Sequence, residues 1–410
     1  MSELVFSPLR LPGGAELPNR IAKAAMEEGM AIEGHLPGDQ LIRLYEYWAD
    51  SGCGMLLTGN VMVDHLAMTG PGGVALEADT PLEPFRRWAK AGQQHGAKMW
   101  MQINHPGRQV YAAMGGKALS PSDIALDLGK HSKLFPKPAP MTDSEIQDLI
   151  ERFTITATRA AEAGFDGVQI HAAHGYLLSQ FLSPLSNRRT DQWGGSLENR
   201  ARLLLEVARS VRTALPENVA VSVKLNSADF QRGGFEPGEA REVVLMLAEI
   251  GVDLVELSGG SYESPAMQGR TADGRTLARE AYFLDFAKDI AQVSPIPIMT
   301  TGGVRRLAVA EKVLQEGVGV VGMGTALAFS PHLPKHWQTE ASTSAQVLDV
   351  QWKDKTLAAL ATMAVVRRQL QRMGKGKAPK LKSSALWTLI SDQLRSQRLT
   401  RRYRQRYANR

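Results

Sequence analysis

Cysteine is almost absent: Cys53 is the only one in 410 residues. One thiol excludes an intramolecular disulfide, a cysteine-built zinc site and a four-cysteine iron–sulfur cluster. No apolar run approaches the ~20 residues that a membrane-spanning helix needs. The opening MSELVFSPLR lacks the basic-then-apolar layout of a secretory signal. These absences point to a reduced, cytoplasmic setting. Acids are scarce at one end only. Residues 351–410 hold two, Asp354 and Asp392, against 16 Lys and Arg, a net of +14. The other 350 residues hold 32 bases and 40 acids, a net of −8. The chain's balance of +6 therefore belongs to the tail, and the main body carries no sign of nucleic-acid binding.

At ~150 residues per domain the length suggests two or three domains, but single α/β barrels routinely exceed ~250 residues. Short β-rich runs alternate with helical stretches up to about residue 340. Strands are expected at 20–25, 54–58, 98–103, 167–171, 219–225, 253–257, 296–301 and 319–323. Helices are expected at 39–52, 82–95, 142–163, 196–214, 237–250, 277–292 and 304–316, where apolar residues recur at helical spacing. Thr142 with Glu145 makes a capping box, and Pro237 suits a first helical turn. Eight mostly apolar strands, each followed by a helix, read as an α/β fold, a parallel (β/α)₈ barrel over 1–340. A doubly wound open sheet is the competitor. The Gly-, Pro-, Ser- and Lys-rich insertion at 106–140 is too long for a simple loop and is expected to cover the substrate.

Barrels carry their chemistry at the C-terminal ends of the strands. Here those ends bear Met26, Glu27, Asn60, Gln102, His105, Arg108, His171, His174, Tyr176, Lys224, Asn226, Ser258 and Gly259. His171 and His174 can point two imidazoles at one ligand. Zinc is a poor fit, with no HExxH helix and no third ligand in view, and a purely local structural role is the plain alternative. TTGGV (300–304) and GMGTA (322–326) each open from a strand end into a helix, bringing Gly302, Gly303, Gly324 and Thr325 to where barrels bind phosphate.

NRIAKAAM (19–26), QINHPGR (102–108), HAAHGYLLSQFLSPLSNRRTDQWGGSLENR (171–200), VKLNSADF (223–230), TTGGV and the final VGMG together resemble the Old Yellow Enzyme family, in order, over about residues 4–335. The resemblance implies non-covalent FMN, NADH or NADPH as reductant, and an α,β-unsaturated small molecule as hydride acceptor. It further implies that His171 and His174 hold the substrate carbonyl and that Tyr176 donates the proton. Gln102 and Lys224 would meet the flavin ring, with Ala25, Met26 and Asn60 beside it, and Gly302, Gly303 and Gly324 would hold its phosphate. Two positions depart from the family: Thr325 replaces an arginine at the phosphate, for which Arg305 is the candidate substitute, and Glu27 stands where Thr or Cys is usual. A carboxylate there either makes the flavin harder to reduce or becomes protonated. A flavin oxidase or dehydrogenase acting on oxygen or quinone is the alternative function.

The basic extension, 341–410, has helical spacing at 352–372 (Leu357, Leu360, Met363, Val366, Leu370) and 384–407 (Leu386, Leu389, Leu394). Those apolar stripes are expected to pack on the acidic barrel or on a neighbouring copy in a homo-oligomer. Binding of the tail to a membrane surface is the less favoured reading, and no nucleic-acid partner is expected.

Overall fold

The computed structural model describes residues 3–266, 280–348 and 350–407. Eight parallel strands form its centre: β1 (Ile21–Lys23), β2 (Met55–Leu57), β3 (Lys98–Asn104), β4 (Gly167–Ala172), β5 (Ala220–Asn226), β6 (Leu254–Ser258), β7 (Ile298–Thr301) and β8 (Val320–Met323). Each pairs with its neighbours in chain order, and β8 returns to β1 with Val321 opposite Ile21. The ring is closed, which excludes the open doubly wound sheet.

Side chains alternate in and out along each strand, so the interior is built in layers. The lowest is apolar, with Met55, Leu57, Trp100, Leu254 and Met299 in one buried cluster. Leu11 and Leu17, from the strand pair Leu9–Arg10 and Glu16–Leu17, join that cluster and plug the N-terminal end. Two residues further along the strands the interior turns polar, with Gln102, Gln169, Lys224, Glu256 and Thr301. The next layer carries His171, Asn226 and Ser258. An apolar floor beneath polar layers leaves only the C-terminal face for chemistry.

The surrounding helices are α1 (Asp39–Ala49), α2 (Glu83–Gln93), α3 (Asp143–Glu162), α4 (Leu177–Leu182), α5 (Leu197–Ala214), α6 (Pro237–Ile250), α7 (Leu284–Ala291) and α8 (Leu307–Gln315). The Thr142–Glu145 capping box starts α3, and α6 ends at Gly251 in the left-handed region, where glycine carries no Cβ penalty. The helix expected at 277–292 is shorter: α7 begins at Leu284, and 277–279 lie outside the described residues. The helix expected at 304–316 narrows to α8. Two short helices, α9 (Thr325–Phe329) and α10 (Leu333–Trp337), close the barrel segment.

Two longer helices follow, α11 (Lys355–Met373) and α12 (Ala385–Tyr407), which pack together as a hairpin. Arg367 with Asp392 (3.3 Å) and Arg368 Nη1 donating to Thr388 Oγ1 (3.1 Å) tie them. α11 lies on α1 and α9. Here the structure corrects the expected stripes in part: Leu370 is buried and Val366 packs against the core as expected, but the large residues before them turn outward. The side of α11 that meets the barrel is Ala358, Ala361, Ala364, Val365, Leu370 and Met373, while Leu357, Leu360 and Met363 are exposed. On α12, Thr388, Asp392 and Tyr403 are buried, while Leu386 and Leu394 are exposed. The physical reason is close approach: alanine lets helix axes come near their support. Just past α11, a Cβ at Gly374 would come within 2.5 Å of the Gln40 carbonyl.

Candidate active site

The polar layer is one hydrogen-bonded network centred on Glu256, which is fully buried. Lys224 Nζ donates to its Oε1 at 2.8 Å and Thr301 Oγ1 donates to the same oxygen at 2.7 Å. Gln169 Nε2 donates to Oε2 at 2.9 Å, and Gln102 Nε2 donates to Gln169 Oε1 at 2.7 Å. A buried carboxylate is tolerable only with such partners. The network fixes Lys224 and Gln102 at the base of the cleft. The sequence reading missed Glu256 and Gln169. Their signal was present, as polar residues at inward positions of otherwise apolar strands.

One layer up, the histidine and tyrosine rings converge. The rings of His171 and His174 are 4.9 Å apart at 77°, and those of His171 and Tyr176 4.8 Å apart at 89°. The Ala173 N–H donates to His171 Nδ1 (3.2 Å), which leaves the proton of a neutral ring on Nε2. His174 Nε2 bonds Ser258 Oγ at 2.7 Å. His174 is held in the left-handed region (φ 62) by its N–H donating to Asn226 Oδ1 and its carbonyl accepting from Gln109. Burial pushes both histidine pKa values well below 6.5, helped for His171 by His174 and for both by Lys224. Both rings are therefore neutral at pH 7. The Tyr176 hydroxyl lies 3.2 Å from that of Tyr262, and burial raises both phenol pKa values. Tyr262 was also missed. Its loop meets the 106–140 excursion, whose Phe135 contacts Tyr262 (5.9 Å) and stacks on Tyr111 (4.9 Å).

Ala25, Met26 and Glu27 follow β1. Glu27 is open to the cleft, yet the walls around it raise its carboxyl pKa by desolvation. Thr69 Oγ1 donates to it at 2.7 Å, and Arg367 of α11 adds an opposing, stabilising charge. Beneath it, Lys23, Tyr45 and Glu28 form a buried chain. Lys23 Nζ donates to the Leu57 carbonyl (2.6 Å) and Tyr45 Oη (3.0 Å), and the tyrosine donates to Glu28 Oε1 (2.5 Å). Burial lowers the Lys23 pKa to about 8. Glu28 also accepts from the Gly59 N–H (2.8 Å), which pins the Asn60 turn to the Glu27 turn.

Asn60 Oδ1 is buried without a partner. A Cβ on Gly324 would meet only Met26 within 4 Å, at 3.8 Å, an ordinary contact, so the two lie side by side. Gly303 has φ 72, and a Cβ there would come 2.6 Å from Tyr282, so both geometry and packing require glycine. Thr325 opens α9 directly after Gly324. A glycine edge, the unpartnered Asn60 Oδ1 as acceptor and the Lys224 ammonium as donor make a polar set that fits a planar group such as FMN, whose ring both donates and accepts. Three polar residues do not join. His105, whose pKa burial lowers to about 4, accepts from the Gly107 N–H. Arg108 pairs with Glu263 at 2.7 Å, clasping two loops. Arg305 faces Glu280 (3.6 Å) rather than standing free for a phosphate.

A family profile described as the NADH:flavin oxidoreductase / NADH oxidase family matches residues 4–343. The chain is 37% identical over 358 residues to NADH-dependent flavin oxidoreductase iliE of Hypocrea jecorina (strain QM6a), covering 82% of this chain and 89% of that one. Identity is also 37% over 382 residues to the iliE protein of Neonectria sp. (strain DH2), covering 87% of this chain, which spans only 50% of that relative's length. Among solved structures, a 2-naphthoyl-CoA reductase complex superposes with a TM-score of 0.76 at 26% identity, over 84% of this chain and 54% of that one. An old yellow enzyme homologue from Zymomonas mobilis gives 0.71 at 25%, over 84% and 95%.

Proposed function

The chain belongs to the NADH:flavin oxidoreductase / NADH oxidase family, with FMN as cofactor and NADH as reductant, and from that premise we propose that it reduces the activated C=C bond of an α,β-unsaturated carbonyl compound. The observation that carries this reading is the convergence of two neutral imidazoles on a protonated phenol in one cleft. Bound FMN, once reduced, supplies the hydride equivalent to the β-carbon of the alkene. The remaining steps belong to side chains.

Charge then builds on the carbonyl oxygen. His171 Nε2–H donates to it, its Nδ1 being occupied by the Ala173 N–H. His174 contributes Nδ1–H when Ser258 Oγ–H satisfies its Nε2. Neutral donors suit this task, because they stabilise developing charge without protonating the oxygen outright. Tyr176 gives its phenolic proton to the α-carbon, and the raised phenol pKa keeps that proton in place until carbanion character develops. The Tyr262 hydroxyl stabilises the resulting phenolate by donating to it. Lys224, held by Glu256 at 2.8 Å, would offer its remaining N–H donors to the flavin ring at the base of the cleft. Residues 1–340 carry this chemistry, and 341–410 form an extension outside it.

The purified protein should release FMN on denaturation, identified by mass. NADH under nitrogen should bleach its visible absorption, and 2-cyclohexenone should restore the colour faster than air does, with cyclohexanone as product. Reoxidation by air alone would assign the protein to flavin oxidases instead.

A further inference from the structure

Eight of the 13 large hydrophobic residues exposed among the described residues lie in the C-terminal hairpin. Trp387 is 68% exposed and Leu394 61%, and Leu386, Ile390, Leu357 and Leu360 are exposed with them. The remaining five are scattered singly along the barrel sequence. On α12 the spacing of three and four that links Leu386, Ile390 and Leu394 continues into Gln397, Arg401 and Arg404. This face is opposite the buried Thr388, Asp392 and Tyr403. It is apolar over its first half and basic over its second, along a helix of 23 residues, ~34 Å long. Arg398, Arg401, Arg402 and Arg404 are exposed, as are Lys375, Lys377, Lys380 and Lys382 in the connection. The only acid after residue 354 is Asp392, which is buried against Arg367. Among the described residues, no acid interrupts the outer face of α12.

From this placement we propose that the outer face of α12 is a docking surface for anionic lipid, on which the enzyme lies as a peripheral protein. An apolar stripe with an exposed tryptophan, flanked by Lys and Arg, is the composition that seats a helix at a headgroup boundary. Long basic side chains keep their charge at the phosphates while their stems follow the apolar surface. A second copy of the chain fits less well. Hairpin against hairpin in a two-fold contact would oppose two tails of net +14. Nucleic acid would use the arginines but gives Leu386, Ile390 and Leu394 no apolar partner.

The test uses the full-length, flavin-loaded protein with two vesicle types, equal parts phosphatidylglycerol and phosphatidylcholine, and phosphatidylcholine alone. Co-sedimentation should be at least about tenfold stronger on the anionic vesicles, weaken with salt, and shift tryptophan emission to the blue. Trp387→Glu with Leu394→Glu should lose about tenfold or more of that binding while flavin content, melting temperature and NADH oxidation stay as in the parent. Trp387→Phe should keep the binding and lose most of the emission shift. Three results overturn the proposal. One is equal binding to both vesicle types, or none. Another is a dimer that the double variant disperses while neither protein binds vesicles. The third is duplex DNA binding that the double variant retains while vesicle binding is absent.

Discussion

Along α5 of the barrel, Leu203, Leu204, Val207 and Val211 face inward, as their helical spacing announces. Along α11 of the extension the large residues Leu357 and Leu360 face outward, and Ala358, Ala361 and Ala364 meet the barrel. Both helices are amphipathic in sequence, yet over its first half α11 buries its small residues and exposes its large ones. The difference teaches that a stripe of leucines marks an apolar face without saying what it meets. In the barrel the strands supply the partner from within the same repeat. In the extension, α1 and α9 are already packed, and they accept a smooth alanine face. The charge follows the same division: the acidic body surrounds a buried polar site, and the basic tail carries its charge on the surface.

If chemistry belongs to the barrel alone, its largest mutational effect should come from the imidazole pair. His171→Ala with His174→Ala should slow enone reduction by at least ~10²–10³-fold in stopped-flow mixing, with flavin reduction by NADH affected less. Equal loss in both half-reactions would reduce the pair to a structural role.

Acid should separate the two regions next. His105 and His171 are buried in the barrel and His174 half-buried, all with lowered pKa values, to about 4 for His105, and the extension has no histidine. The unfolded chain binds these protons near pH 6.5, the folded one only at lower pH. Stability is therefore complete above pH 6.5 and falls as pH drops below it. For His105 the expected loss is about 1 kcal/mol between pH 7 and 5.5, with His171 and His174 adding loss in the same direction, measured by denaturant titration. Stability that is flat over this window would mean the rings take up protons in the fold as readily as in the unfolded chain.

The same residue type on the same helix sharpens the contrast further. Leu370→Ala, on the buried side of α11, should cost ~2–5 kcal/mol. Leu360→Ala, on its exposed side, should change stability by less than ~0.5 kcal/mol. Similar losses from both would mean that the outer face is covered in the isolated protein. The smallest effect is expected at the junction of the two regions. Glu27→Thr should raise the flavin reduction potential modestly, because it removes a carboxyl whose charge desolvation opposes and Arg367 favours. A redox titration giving a lower potential would mean that Glu27 does not act on the ring.

All eight barrel strands were legible from the sequence because each is a short apolar run between a helical pattern and a Gly or polar end. The capping box at Thr142 was legible as a local signal. Much of the site was legible for the same reason: once the strand ends are located, His171, His174, Tyr176 and Lys224 must converge. What escaped was every relation set by side-chain direction across the barrel. Glu256 and Gln169 look like ordinary strand residues until layering puts them beside Lys224 and Gln102. Tyr262 lies 86 residues from Tyr176. Arg367 reaches the charge field of Glu27 only because the hairpin folds back over the barrel.

The most direct test is the oxidative half-reaction of NADH-reduced enzyme, wild type against Tyr176→Phe, with 2-cyclohexenone and with oxygen as separate acceptors. The account predicts that the variant reoxidises ~10²–10⁴-fold more slowly with the enone and at an unchanged rate with oxygen. Equal rates for both proteins with the enone, or equal slowing with both acceptors, would contradict it.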